Sequence, residues 1–401
     1  MLQYSTVFKD ETKLDINYVP AQLPHRNAQL QLLNQFFRCA TEQPGKMSQR
    51  VLIAGKIGTG KTVLSQIFGF NITKKAEKQN INLHYVHVNC RERKGSLFLI
   101  LQQIIHHFHP NFPKRGYSTE ELMPVLMQTL DEQNAYLILA LDELESLIQG
   151  EGSDAVYKLT RIQESRAGLP RRLSLICILR NPEQLEKLDS STRSTLQHNF
   201  IYLKKYSKNE LCDILNHRVK LAFKPGTVPE ETVYLAAKLA ASEEGNARYA
   251  IELLWRAGKY SDASKASQVL PESVRKAVVS VYPTVRKDYI FELSFHQKLF
   301  LLSVARRFQQ TSCAYVSMGE LEKAYNIVCE EFGETPRGHS QLWNYVKNLS
   351  GLGVLDTELS GKGKRGRTTL VGLPFIPASD LERELSENLR MMEEGERNFE
   401  N

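Results

Sequence analysis

The chain lacks any close pair of cysteines; its six lie at 39, 90, 177, 212, 313 and 329. That scatter excludes the paired spacing of a zinc site or a disulfide frame and fits free thiols in a reducing compartment. Long apolar runs are missing too. Leu175–Leu179 falls far short of the roughly 20 residues a membrane-spanning helix needs. No membrane partner is expected. Met1-Leu2-Gln3-Tyr4 opens no charged-then-apolar export signal, so a cytoplasmic protein is expected. No internal repeat is visible, which argues against a solenoid or propeller.

What is present is basic. The whole chain carries +7, while Asp380–Asn401, with eight acids and three arginines, contributes −5 and leaves +12 on residues 1–379. A basic body suits a polyanionic partner. A length of 401 residues with 42% apolar content allows two or three packed domains.

The most informative stretch is Gly55-Lys56-Ile57-Gly58-Thr59-Gly60-Lys61-Thr62, which follows the apolar run Val51–Ala54 and precedes a helical pattern. Strand, glycine loop and helix is the context that a phosphate-binding loop requires. Glycines let the backbone curl so that several N–H groups face one anion, and the helix adds its positive end. Lys61 is then placed to reach the β and γ phosphates, and the Thr62 hydroxyl to bind Mg²⁺. Nucleoside triphosphate binding is expected.

Four apolar runs, Val51–Ala54, Leu83–Val88, Tyr136–Leu141 and Leu173–Leu179, predict strands; helical patterns near 61–79, 96–109, 118–133 and 153–166 lie between them. This alternation predicts an α/β core with a mostly parallel sheet, preceded by an extended arm and a helix from about Asn27 to Thr41. Leu137–Leu141 runs into Asp142-Glu143, two carboxylates at a strand end. Asp142 would hold Mg²⁺ through water, and Glu143 would orient the attacking water. The strand ending at Leu179 leads to Arg180-Asn181, where an amide could position that water. Arg193, in Leu188–Ser194, and Arg248, in Gly245-Asn246-Ala247-Arg248, could neutralise charge on the γ-phosphate. Taken singly, Asn181 reads as a turn residue and each arginine as a surface cation; their order along the chain is what favours the catalytic reading.

From Ser207 the strands stop, and helical patterns near 207–223, 229–242, 246–258 and 267–281 predict an all-helical domain. Residues 290–375 read as a winged helix. Phe295–Phe308 is amphipathic, Ser317–Glu320 is a capping box, and a third helix after Pro336 sets Leu342, Val346 and Leu349 opposite Ser340, Asn344 and Lys347. Lys362, Lys364, Arg365 and Arg367 crowd the following glycine-rich hairpin, suited to tracking a phosphate backbone into a minor groove. Lys114 and Arg115 read as surface residues from spacing alone. Leu381, Leu385 and Leu389 in the acidic end suggest a solvated helix. The expected domains are residues 1–204 (core with arm), 205–285 (helical), 286–378 (winged helix) and 379–401 (acidic tail).

Taken together, the glycine loop, the Leu-Asp-Glu strand, the Asn-tipped strand, Leu188-Asp189-Ser190-Ser191-Thr192-Arg193 and the Gly-Asn-Ala-Arg helix resemble an AAA+ ATPase with its lid. In detail they resemble the archaeal origin-recognition initiators, relatives of the eukaryotic origin-recognition subunit and cell-division-control loader. Tyr18-Val19-Pro20, Leu23-Pro24-His25-Arg26 and Val88-Asn89-Cys90-Arg91 share the likeness, as do Pro113-Lys114-Arg115-Gly116 and the Gly-Lys-Arg wing. The resemblance implies that Gly58, Thr59, Gly60, Lys61, Thr62 and Val63 cradle ATP or ADP, with Tyr206 and Arg218 contributing from the lid. It gives Asn181 and Arg248 sensor roles, Arg193 the finger role across a subunit boundary, and Lys114 and Arg115 a DNA contact. Arg180 stands where the family usually has a small polar residue, and Asn246 where it usually has an acid. The implied protein is a slow, switch-like ATPase in the nucleoid. It would bind double-stranded origin DNA beside other initiator subunits and help recruit the replicative helicase. Alternatives are a ring-forming remodelling ATPase or DNA motor, and a nucleotide-switched regulator whose winged helix binds protein.

Overall fold

The computed structural model describes residues 6–164, 166–281, 293–359 and 368–399. They divide into two units. One comprises Val19–Glu210 with Glu244–Ala247; the other comprises Met1–Tyr18, Leu211–Glu243 and Arg248–Asn401.

The first unit is built on the predicted strands, β1 (Arg50–Ala54), β2 (Leu83–Asn89), β3 (Tyr136–Asp142) and β4 (Leu173–Leu179), plus a short fifth, β5 (Phe200–Tyr202). They form one parallel sheet in the order β2-β3-β4-β1-β5. Near-continuous apolar strands follow from burial on both faces. Along β1, Leu52 and Ala54 enter one core with Val88, Ile100, Leu126 and Leu147, while Val51 and Ile53 enter the other with Leu33, Leu64 and Phe68. The first core is closed by α4 (Leu97–Phe108), α5 (Thr119–Glu132) and α6 (Leu144–Arg161); the second by α1 (Asn27–Phe36) and α3 (Lys61–Glu77).

Several boundaries differ from the sequence reading. The helix expected over 27–41 breaks at Phe37 into α1 and α2 (Arg38–Glu42), and the Phe37 ring is fully buried 5.0 Å from that of Phe68. The helix expected over 153–166 begins much earlier, at Leu144, and bends at Gly152, whose φ is 72°. β5 and α7 (Ser190–Gln197) are short elements with no period of their own. Cys177, central in β4, has its thiol pushed up to about 12 by burial. It packs and does no chemistry.

The second unit holds the predicted helices as α8 (Lys208–Ala222, entering it at Leu211), α9 (Glu230–Ser242), α10 (Ala247–Ala263, from Arg248) and α11 (Pro271–Val281). The arm as far as Tyr18 falls in this unit, not with the parallel sheet. Val7, Phe8 and Leu14 are buried, the Phe8 and Phe223 rings lie 4.8 Å apart, and Trp255 Nε1 donates to Glu11 Oε1 at 2.7 Å. Apolar burial draws the arm onto the helices.

The winged helix follows, with α12 (Phe295–Gln309), α13 (Met318–Glu331), α14 (His339–Gly351) and an antiparallel sheet in the order β6-β8-β7, from β6 (Tyr315–Ser317), β7 (Asp356–Leu359) and β8 (Thr369–Gly372). The acidic end is corrected as well. It forms α15 (Ala378–Phe399), and Leu381, Leu385 and Leu389 are fully buried in the winged-helix core with Leu299, Leu302 and Phe300. Spacing of i, i+4 and i+8 puts three leucines on one stripe, and Arg306 pairs with Glu382 at 3.1 Å beside it. It is a structural helix rather than a solvated one. No helix among the described residues is long and apolar enough to cross a membrane.

Helices α9 and α11 are joined to the winged helix by charged and buried contacts. Arg275, 1% exposed, donates from Nε to the Leu373 carbonyl and lies 4.6 Å from the centre of the Phe308 ring. Lys238 meets Glu358 at 2.6 Å and also Asp356, Tyr234 donates to Glu358, and Tyr315 donates to Asp356 at 2.6 Å. Both carboxylates of β7 are thereby tied to the base of the hairpin and to α9.

Two outcomes follow. Leu385→Ala opens a cavity in the winged-helix core and should cost about 2–5 kcal/mol in chemical denaturation. Glu320, the capping-box acid of α13, has its carboxyl held down to about 2, from an ordinary 4.5, first by the Arg307 guanidinium and then by Ser317 N–H and hydroxyl. A depressed folded-state value contributes stability above the unfolded one, lost as pH falls. Winged-helix stability should therefore decline from about pH 4.5 to about 2, and Glu320→Gln should flatten that decline in pH-dependent melts.

Candidate functional site

Parallel register brings the candidate residues to one edge. Ala54 pairs with Leu179 and Leu141 with Cys177, so β1, β3 and β4 end side by side. The glycine loop, Asp142-Glu143 and Arg180-Asn181 all emerge there. This carboxyl edge is where open parallel sheets hold ligands.

The loop folds around its own lysine. Lys61 Nζ donates to the Gly55 carbonyl at 2.6 Å and the Lys56 carbonyl at 2.8 Å, and Thr59 Oγ1 donates to the Lys56 carbonyl at 2.9 Å. Gly60 sits in left-handed backbone at the head of α3, with Lys61, Thr62 and Val63 in its first turn. The Thr62 hydroxyl donates to Asp142 Oδ2 at 2.6 Å. Two oxygen donors converging at a helix N-terminus suit a hard cation such as Mg²⁺. Burial pushes the Asp142 carboxyl up, but hydrogen bonds from His87 and Thr62 outweigh it and hold the group below its ordinary value. Asp142 is thus kept anionic although 5% exposed.

His87 Nε2 stands 3.2 Å from Asp142 Oδ2. Sequence reasoning missed it; β2 gives no sign that His87 points along the sheet edge toward Asp142. From sequence, Arg26 is named only within the segment Leu23–Arg26 that shares the family likeness, with no role of its own. Its guanidinium lies 3.8 Å over the Tyr206 ring and donates to the Thr59 carbonyl at 3.2 Å and the Lys204 carbonyl at 2.6 Å. Tyr206, 3% exposed, is thereby held beside the loop.

Glu143 takes left-handed backbone, φ 51°, ahead of α6. Its carboxylate is paired with the Arg180 guanidinium, which also approaches Glu145 Oε1 at 3.4 Å. Burial pushes the Glu145 carboxyl up. Asn181 caps the short 3₁₀ turn Pro182–Lys187: its carbonyl accepts from Glu183 N at 3.2 Å and its amide donates to Glu183 Oε2 at 2.8 Å. Arg193 lies half-buried in α7, whose cap is the Asp189 carboxylate accepting from Thr192 N at 2.9 Å.

The segment Glu244–Ala247 is laid on the loop. Ala247 N donates to the Gly58 carbonyl at 3.2 Å, and Lys56 pairs with Glu244 at 3.6 Å. The fit permits no side chain at two glycines. A Cβ on Gly58 (φ 75°) would lie 1.9 Å from Asn246 Oδ1, and one on Gly245 (φ 68°) 2.3 Å from the Tyr206 carbonyl. Arg248, the next residue, begins the second unit and is exposed. Arg218, buried in that unit, donates to the Lys13 carbonyl at 2.9 Å and the Tyr18 carbonyl at 3.4 Å, and burial lowers its affinity for its proton.

Of the DNA-facing candidates, Lys114 and Arg115 are exposed between α4 and α5, in a segment steadied by the Phe112–Tyr117 ring contact at 5.0 Å. In α14, Leu342, Val346 and Leu349 are fully buried, while Ser340, Asn344 and Lys347 face outward. Lys362, Lys364, Arg365 and Arg367 lie outside the described residues, between β7 and β8.

Because Asn246 fills the space that a Gly58 side chain would need, Gly58→Ala should dislodge Glu244–Ala247. Affinity for a fluorescent ADP analogue should fall at least tenfold, with little change in the far-ultraviolet circular dichroism.

Comparison with known proteins gives three matches to family models. They are the CDC6 C-terminal winged helix domain over residues 288–382, the Cdc6 AAA+ ATPase-type lid domain over 212–278, and the bacterial TniB protein over 21–164. An ORC1-type DNA replication protein 2 of Sulfurisphaera tokodaii is 34% identical over 393 residues, covering 96% of this chain and 94% of that one. The ORC1-type DNA replication protein of Thermococcus kodakarensis is 30% identical over 92% of this chain and 89% of its own. Among solved structures, Cdc6p from Pyrobaculum aerophilum superposes with a TM-score of 0.83 at 28% identity, over 96% of this chain and 99% of that one. The Aeropyrum pernix ORC1 protein, solved in complex with DNA, gives 0.64 at 27% identity, over 96% and 97%. The chain belongs to the Cdc6/ORC1-type family of archaeal DNA replication proteins.

Proposed function

We propose that this protein is a nucleotide-regulated replication initiator that grips double-stranded origin DNA and helps bring the replicative helicase to it. The observation that carries this reading is that Glu244–Ala247, laid on the phosphate loop, runs without a break into α10 of the unit holding the winged helix. A change of phosphate state at the loop is therefore one peptide bond from the DNA-facing unit. That connection suits a switch better than a high-turnover enzyme.

In this reading Gly58–Val63 wrap the phosphates, with Tyr206 and Arg26 beside them. Lys61 exchanges its two carbonyl partners for phosphate oxygens. Thr62 and Asp142 hold Mg²⁺, whose bound form supplies Lewis acidity at those oxygens. Glu143 orients the hydrolytic water, Asn181 and Arg248 sense the terminal phosphate, and Arg193 reaches a neighbouring subunit's nucleotide. Arg218 supports the lid side through the arm. On DNA, Ser340, Asn344 and Lys347 read the major groove while Lys362, Lys364, Arg365 and Arg367 follow the backbone into the minor groove. Lys114 and Arg115 add a contact from the first unit. The Aeropyrum pernix relative in complex with DNA supports DNA as the ligand.

The test is fluorescence anisotropy with a duplex oligonucleotide over a salt series. Replacing Lys364, Arg365 and Arg367 together by alanine should lower affinity and reduce the log–log salt slope by about 2–3. Unchanged affinity and slope would refute the wing assignment.

A further inference from the structure

We propose that Arg180 is a positioning residue that holds the Glu143 carboxylate in an ion pair and so brakes hydrolysis at the phosphate loop. The inference rests on the nucleotide reading above. It starts from a placement the fold imposes. Arg180 is the first residue past β4 and Glu143 the first past β3, and those strands are parallel neighbours. Two oppositely charged side chains leave one sheet edge together.

The pairing is two-sided. Arg180 donates from one terminal nitrogen to Glu143 Oε1, and its Nε lies 3.4 Å from Glu145 Oε1. Glu145 is 14% exposed, and neither of its carboxylate oxygens has a hydrogen bond among the described residues. One guanidinium therefore serves two carboxylates on the first turn of α6. Its planar fork suits that task better than an ammonium does.

The left-handed backbone at Glu143 fixes where its side chain starts, and the ion pair fixes where it ends. An oxygen occupied by Arg180 is not available to orient a water molecule. Asn181, the other polar group at this strand end, is held by Glu183 through both of its amide atoms. In this arrangement Glu143 Oε1 and both amide atoms of Asn181 already have protein partners. Turnover then requires the Arg180–Glu143 pair to part, which makes its strength a term in the barrier.

The test is steady-state ATPase kinetics on the full chain with Mg²⁺, beside direct binding of a fluorescent ATP analogue. A partly exposed pair of this kind is worth a rate factor of roughly two to five. Arg180→Ala should raise kcat by that factor with KM and analogue affinity unchanged. Arg180→Gln, which keeps the side chain's bulk, should do the same, and Arg180→Lys should restore the slow rate. The gain should vanish in Arg180→Ala/Glu143→Gln. A merely structural arginine would give a loss of turnover and no rescue by lysine. A wild-type chain that binds the analogue while neither neutral variant turns over faster overturns the brake and leaves the nucleotide site standing. A wild-type chain that binds no analogue overturns both.

Discussion

Parallel register is the constraint from which the rest of this molecule follows. Because β1, β3 and β4 run the same way and end in step, three segments distant in sequence deliver their polar residues to one edge. The strands spend most of their side chains on two apolar cores, so the site is built from their carboxyl ends and the turns beyond them. A one-residue slip of β3 would exchange its two faces and withdraw Asp142 from Thr62. Register is pinned by alternate burial: Leu139 and Leu141 must enter one core while Ile138 and Ala140 enter the other. The site is as firmly placed as the core is packed.

The second unit is organised by a different balance. Arg275 is almost wholly buried, and burial alone lowers its hold on its proton; the Leu373 carbonyl, Glu272 and the Phe308 face offset that cost. Around it, Lys238 and Tyr234 occupy the β7 carboxylates. Removing one partner would leave a buried charge uncompensated. Helices α9 and α11 are thus both tied to the winged helix, at several points.

Much of this was legible in the sequence because the signals were dense and local. Gly55–Thr62 combines fixed residue types with a strand before and a helix after, and the four long strands are apolar runs of ordinary length. Ser317-Met318-Gly319-Glu320 announces a helix start, and the structure forms that capping box. What escaped was set by tertiary contact. β5 is three residues long and exists through its pairing with β1. His87 sits in an unremarkable strand, and only the β2–β3 register turns it toward Asp142. The arm looked like part of the core because its apolar residues are few, yet Val7 and Phe8 find their partners some two hundred residues on. The acidic end was half-legible: its leucine stripe gave the helix, but net charge concealed that the stripe is buried. Arg180 was visible as a departure from family habit, and its partner was not, since Glu143 lies a whole β-α-β crossover away.

The two units meet along the chain at the joints after Tyr18, Glu210, Glu243 and Ala247. The piece between the last two, Glu244–Ala247, touches the phosphate loop, and there two glycines leave no slack. Lys61 now neutralises loop carbonyls, so an arriving phosphate must take the ammonium away from Gly55 and Lys56. The Gly55–Lys56 backbone then loses the donor that holds its curl. Gly58 follows in the same turn, and the hydrogen bond from Ala247 N to its carbonyl is the link that registers the change. Under the proposed function, breaking this hydrogen bond and the exposed Lys56–Glu244 pair beside it would cost only a few kcal/mol. In the proposed switch, that is the range in which a differential affinity for triphosphate over diphosphate would shift a population.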